Sequence, residues 1–121
     1  MKYMLLICRD EPAWERLGAA ERQRIYTESV DLSEQLVARG QYLGGHPLHP
    51  SSSATSVRVR DGKRLVTDGP FAETREQLGG YMLIDVEDLD EAIAIAARIP
   101  MARRGTVENR PVIERAGLPT R

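Results

Sequence analysis

An α+β fold with its helices on one face of a sheet is predicted by three observations. Residues 3–8 and 81–86 are short apolar runs that read as strands buried on both sides. Each is followed by a segment with helical periodicity, residues 17–39 and 88–99. Between these two units stands an alternating stretch folded back at Asp61-Gly62. With 121 residues the chain has room for one domain and one core. A chain of this size buries roughly two-thirds of its unfolded surface, enough to fold without disulfides or metals.

The first strand leaves through the polar exit Arg9-Asp10-Glu11-Pro12. Gly18 is an acceptable N-cap for the first helix, with Glu21 three residues on, and Gly40 supplies its stop. At about 100° per residue, Ile25, Tyr26, Leu32, Leu36 and Val37 share one face, opposite Glu28, Asp31, Glu34 and Gln35. Ser29 and Ser33 fall inside the apolar arc. They either let the helix lie close to the sheet, their hydroxyls bonded back to helix carbonyls, or form the polar wall of a cavity beneath it.

Residues 41–48 form a second strand weakened by Gly44-Gly45, and residues 49–53 are a Pro/Ser loop. In the hairpin Thr55, Val57 and Val59 alternate with Ser56, Arg58 and Arg60, and residues 65–67 return. Its Arg58, Arg60, Lys63 and Arg64 suit a solvated edge that resists strand-to-strand aggregation, or else an anion. Glu73, Arg75 and Glu76 fit a short helical turn. Along residues 81–86, Tyr81 and Leu83 face one way and Met82, Ile84 and Val86 the other. Asp88 with Glu91 begins the second helix as a capping box, and Pro100 follows its end. Residues 106–113 make the last strand, and residues 114–121 form a loose tail outside the single domain of residues 1–113.

This order, βαβ, hairpin, βαβ, is that of a ferredoxin-like sandwich. Two helices cover one face of its sheet only. The apolar second face therefore needs a partner, and a second copy of the chain, giving an α/β barrel-like dimer, is the simplest.

Composition excludes several classes. Seventeen basic side chains against eighteen acidic ones give no field for nucleic acid or membrane. The single Cys8 forms no internal disulfide, favours a reducing compartment, and reads as an inert thiol in an apolar strand. The N-terminal apolar run is too short for a signal peptide, and no stretch approaches the roughly 20 apolar residues that span a bilayer. A cytoplasmic location is expected. No GxGxxG, GxxxxGK[ST] or GxSxG pattern occurs, and two histidines make weak grounds for a metal, so neither cofactor nor metal is expected.

The Asp68-Gly69-Pro70-Phe71 turn, the hairpin ATSVRVRDGK at 54–63, AETRE at 72–76, LGGY at 78–81 and LDEA at 89–92 together resemble the YCII-related family, within it the DGPF-motif group. The resemblance runs from Lys2 to Ile113. It implies a ferredoxin-like dimer and supplies no activity; some relatives lie beside sigma factors, which implies at most a regulatory association. Some relatives also carry a first-helix histidine with a suggested enzymatic role. Here Ser29 stands near that place and the helix has no histidine.

The residues nominated for chemistry are few. His46, at the end of the second strand, would transfer protons only with an orienting carboxylate, and Asp68 is the nominee. Asp68 alternatively bonds the amides of its own turn. Phe71 is a core anchor or a pocket wall, and Arg75 an anion clamp or a surface ion pair. Tyr81 is interface or pocket lining, and Trp14 caps a cleft or staples its loop to the helix. Three functions follow: a dimeric domain binding a small molecule or regulatory partner in a cleft near the DGPF turn, a proton-transfer enzyme using Asp68 and His46, or a transcription-associated interaction module.

Overall fold

The backbone hydrogen bonds begin with β1, Lys2–Asp10, in the computed structural model, which describes residues 1–115. The expected polar exit of β1 is itself ordered. Asp10 Oδ1 accepts from the Ala13 amide at 3.1 Å and starts a short helix α1, Glu11–Glu15, with Pro12 in its first turn, where no amide is needed. This short helix precedes the predicted one, in a stretch that the sequence reads as a polar exit. The longer one, α2, spans Ala19–Ala38 from an N-cap at Gly18. It ends as the sequence implies: Gly40 takes φ +72°, its amide donates to Val37 O, and that of Gln41 donates to Leu36 O. This is a Schellman closure, which needs the left-handed conformation that glycine adopts freely.

Then follow β2 (Tyr42–Pro47), a 3₁₀ turn at Ser51–Ser53, and the hairpin β3 (Thr55–Arg60) and β4 (Lys63–Asp68). Asp61 and Gly62 both have positive φ, 51° and 73°, the twist-matched turn that Asp-Gly favours. Next, β5 spans Glu76–Asp85 and is longer than predicted. No helical turn forms at Glu73, Arg75 and Glu76; Glu76 pairs with Asp10 instead, because β1 runs far enough to offer a ladder. The chain closes with α3 (Leu89–Arg98), a 3₁₀ turn at Pro100–Arg103, and β6 (Thr106–Pro111). Asp88 caps α3 through the Glu91 amide at 2.9 Å, and Glu91 Oε1 accepts from the Glu87 amide.

The main sheet has the order β2-β5-β1-β6 with every neighbouring pair antiparallel. This mixed α+β arrangement is compatible with the ferredoxin-like sandwich expected. The hairpin β3–β4 stands as a separate two-stranded sheet. Tyr3 pairs with Ile84 and Leu5 with Met82, so these four side chains share the face that meets α2 and α3. Leu5, Ile84 and Leu36 are wholly buried there, with Ala92 and Ile95 of α3 close behind. On the other face Met4 pairs with Leu83 and Leu6 with Tyr81, and all four are only half-buried. Residues 116–121 of the expected tail lie outside the described residues.

The Asp10 carboxyl lies below the ordinary aspartate range, held there first by the Ala13 amide and then by Arg75. A depressed folded pKa contributes stability that is complete above the unfolded value, about pH 4, and is lost as pH falls through the folded one. Asp10→Asn keeps a capping oxygen that does not titrate, so its melting temperature should depend less on pH below about pH 4 than the wild type's. Leu36→Ala, at the centre of the core, should lower unfolding stability in urea by about 2–5 kcal/mol.

Candidate functional site

Not all of α2 reaches the sheet. Ile25, Leu32 and Leu36 are buried, as the helical face requires, but Tyr26 and Val37 of the same predicted face keep 43% and 59% of their surface, and Val30 keeps 54%. Beside that flank lies a cavity of about 400 Å³, bounded by α2, β2, the middle of β5 and the end of β1. Ile7, Met82, Ile99 and Met101 form apolar walls, and Trp14 closes one end. Small residues make the space. Gly45, Gly79 and Gly80 line the strand side, and Ser29 and Ser33 the helix side.

Both readings of the serines hold together. Ser29 Oγ donates to Ile25 O at 2.9 Å and Ser33 Oγ to Ser29 O at 3.0 Å, while both residues line the cavity. With their hydroxyls committed to the helix, they present little free polarity to an occupant. Trp14 likewise fills both of its expected roles. It belongs to α1, packs edge-on against Tyr26 with ring centroids 5.7 Å apart, and caps the cavity.

Arg9 was not among the residues the sequence nominated. The alternation of β1 places it on the face of Tyr3, Leu5 and Ile7, a face that should be apolar. Its guanidinium carbon lies 4.4 Å above the Trp14 ring, while Nε is buried with no hydrogen-bond partner. The space for it comes from a register shift: Ile7 pairs with Gly80 but Cys8 with Leu78, leaving Gly79 as an extra residue in β5. A Cβ at Gly79 would sit 2.9 Å from Arg9 Nε. The signal was available in the sequence as a charged residue continuing an inward-facing series.

The nominated residues fall in different places. His46 Nδ1 and Tyr81 Oη share a hydrogen bond at 2.9 Å, its donor set by the imidazole tautomer. They are paired neighbours on β2 and β5, and Tyr81 is paired with Leu6 as well. Their side chains therefore belong to the face away from the helices, although the chain at both positions borders the cavity. Asp68 is exposed at the end of β4 and does not hydrogen-bond His46. Nor do its own turn amides bind its carboxylate; the Gly69 amide donates to Ala54 O at 2.7 Å, and Ser56 Oγ donates to Gly69 O. Phe71 is 82% exposed, so within the protomer it is neither core nor pocket wall. Arg75 Nε pairs with Asp10 Oδ2 at 3.3 Å, the surface ion pair rather than the clamp. His49 is exposed in its loop, which Glu11 holds by accepting from the amide and hydroxyl of Ser51.

Cys8 is half-buried, less covered than its apolar run implies. Burial, then Glu108 and Glu76, push its thiol above the ordinary value, away from the reactive thiolate. Among the described residues no group of three or more His, Cys, Asp or Glu is placed to hold a metal ion, and no helix is long and apolar enough to cross a membrane.

A family model for the YCII-related domain matches residues 1–116, nearly the whole chain. The chain belongs to the YCII-related family. It is also similar to an uncharacterized protein of Rhizobium meliloti (strain 1021), 34% identical over 114 residues that make up 93% of this chain and 92% of the relative. The likeness thus takes in β1 through β6 and every wall of the cavity. It carries no activity, because the relative is itself uncharacterized.

Proposed function

We propose that this YCII-related domain binds a small, largely apolar molecule in the cavity beneath α2, and that it does so as a homodimer joined through the uncovered sheet face. One observation carries the reading: a space of about 400 Å³ with apolar and aromatic walls, kept open by glycines and by serines whose hydroxyls are already bonded. Ligand pockets of small domains fall at about 300–1,000 Å³. The site borders the end of β2, as the sequence suggested, but it lies under α2 rather than at the DGPF turn.

The dimer rests on Met4, Leu6, Tyr81 and Leu83, an apolar strip along the two central strands with no helix over it. A two-fold related copy of the same strip is self-complementary. The hairpin adds to this need for cover, since Val57, Val59 and Val66 are 58–61% exposed and Phe71 more so.

A proton-transfer enzyme is the second reading, and the 2.9 Å His46–Tyr81 contact favours it by giving the imidazole an orienting partner. For Asp68 to serve as its carboxylate, the hairpin of a second copy would have to deliver it. A regulatory or transcription-associated partner would instead use the exposed valines and Phe71 of the hairpin arm.

Titration with the uncharged fluorophore N-phenyl-1-naphthylamine should give saturable emission enhancement with energy transfer from Trp14, the only tryptophan. Ser33→Phe, which narrows the cavity, should weaken binding about tenfold or more while leaving the circular dichroism spectrum unchanged. Absence of saturable binding to the wild type would sink the reading. Light scattering should give twice the protomer mass for the wild type, and Leu83→Glu should shift it to the monomer.

A further inference from the structure

A second, smaller cleft of about 290 Å³ adjoins the cavity. The two share Arg9, Trp14 and Met101, so Arg9 stands at their junction. Their characters differ. The larger cavity is bounded mainly by hydrocarbon, whereas the smaller one is lined by three arginines, Arg9, Arg103 and Arg104, against one carboxylate, Asp10.

Most of these charges are already engaged. Arg103 holds Glu28 with one nitrogen at 2.8 and 3.1 Å from its two oxygens, and Arg104 holds Glu21 at 2.8 Å. Asp10 accepts from the Ala13 amide and from Arg75. Glu34 borders the larger cavity on the α2 side. Arg9 is different: among the described residues it has no carboxylate partner, and its Nε is buried without an acceptor. A guanidinium offers five donors in a planar fork suited to a carboxylate. Here the guanidinium carbon rests 4.4 Å from the Trp14 ring centroid, and the missing side chain of Gly79 makes room for it.

Resting on the pocket reading above, we infer that the natural occupant is an amphipathic carboxylate, its acid group held by Arg9 at the junction of the two clefts and its apolar body lying beneath α2. The acid meets the terminal guanidinium nitrogens of Arg9, which have no hydrogen-bond partner among the described residues, while Nε is packed away against Gly79. The apolar remainder meets Ile7, Met82 and Met101, and Trp14 touches both parts. A neutral molecule of the same shape would fill the cavity but leave the guanidinium without a counter-charge. A purely polar anion would satisfy Arg9 and leave the cavity empty.

The inference is tested with decanoate and decanol, each below its aggregation concentration, as competitors of bound N-phenyl-1-naphthylamine. Decanoate should displace the probe at least about tenfold more effectively than decanol, a preference typical of a hydrogen bond to a charged group. Arg9→Met should remove that preference by weakening decanoate alone, while Arg9→Lys, which keeps the charge, should retain part of it. If Arg9→Met does not fold, Arg9→Gln serves: it keeps a polar side chain at the junction without the charge, so decanoate should weaken and decanol should not. Equal displacement by both competitors would overturn the carboxylate assignment and leave the apolar pocket standing. Failure of both to displace a probe that does bind would overturn it as well. Failure of the probe itself to bind is the separate outcome that removes the pocket reading.

Discussion

Antiparallel pairing of β1 with β5 is the contact on which the core, the cavity and the uncovered face all depend. While the register is regular, Tyr3 and Leu5 stand beside Ile84 and Met82, and the helices close over them. Past Ile7 the register slips by one residue at Gly79. A bulge of this kind bends a strand and increases its twist. Here it also replaces side chains with hydrogen on the β5 side of the ladder, at Gly79 and Gly80, just where α2 presents Ser29 and Ser33. Four small residues face one another across a layer spacing set by the large ones at Leu5, Leu36 and Ile84. A cavity follows from that mismatch without any special fold element.

The same ladder separates two surfaces. Side chains alternate across a sheet, so residues adjacent in sequence serve opposite faces. Met82 looks into the cavity, whereas Tyr81 looks away from it with His46. The imidazole of His46 and the proposed pocket under α2 thus lie on opposite faces of the ladder, although His46 and Tyr81 border both. Any coupling between them would pass through the strand itself, or through a second copy resting on the open face.

Much of the fold could be read from the sequence because its signals are local. Gly40 after a helical stripe, Asp-Gly at a hairpin and Asp88 with Glu91 each report a backbone geometry that the residue type alone nearly determines. The short α1 is harder to read, since five residues show no period, and its signal is Asp10 three residues before Ala13. The site was read less well. Ser29 and Ser33 marked it, but Asp68, Phe71 and Arg75 were nominated for chemical type and motif position, and all three lie on the exposed segment that follows the hairpin or ends it. In the sequence Arg9 reads as the polar end of a strand. Its role depends on the register slip at Gly79, a pairing between distant segments that neither segment encodes by itself.

Energetics give Arg9 its significance. A buried donor left without a partner costs about 1–3 kcal/mol. The cation–π contact with Trp14 returns about 0.5–2 kcal/mol. These terms nearly cancel, so the arginine neither strongly stabilises nor strongly destabilises the free protomer. A hydrocarbon side chain would pack this position at no such cost, and the alternation of β1 favours one. What the arginine adds is a cation with no carboxylate partner among the described residues, braced against the Trp14 ring before any anion arrives. Much of the cost of polar recognition lies in desolvation and ordering, and here folding has met a share of both. Such a group stabilises a complex more than it stabilises the fold, which distinguishes a binding residue from a structural one.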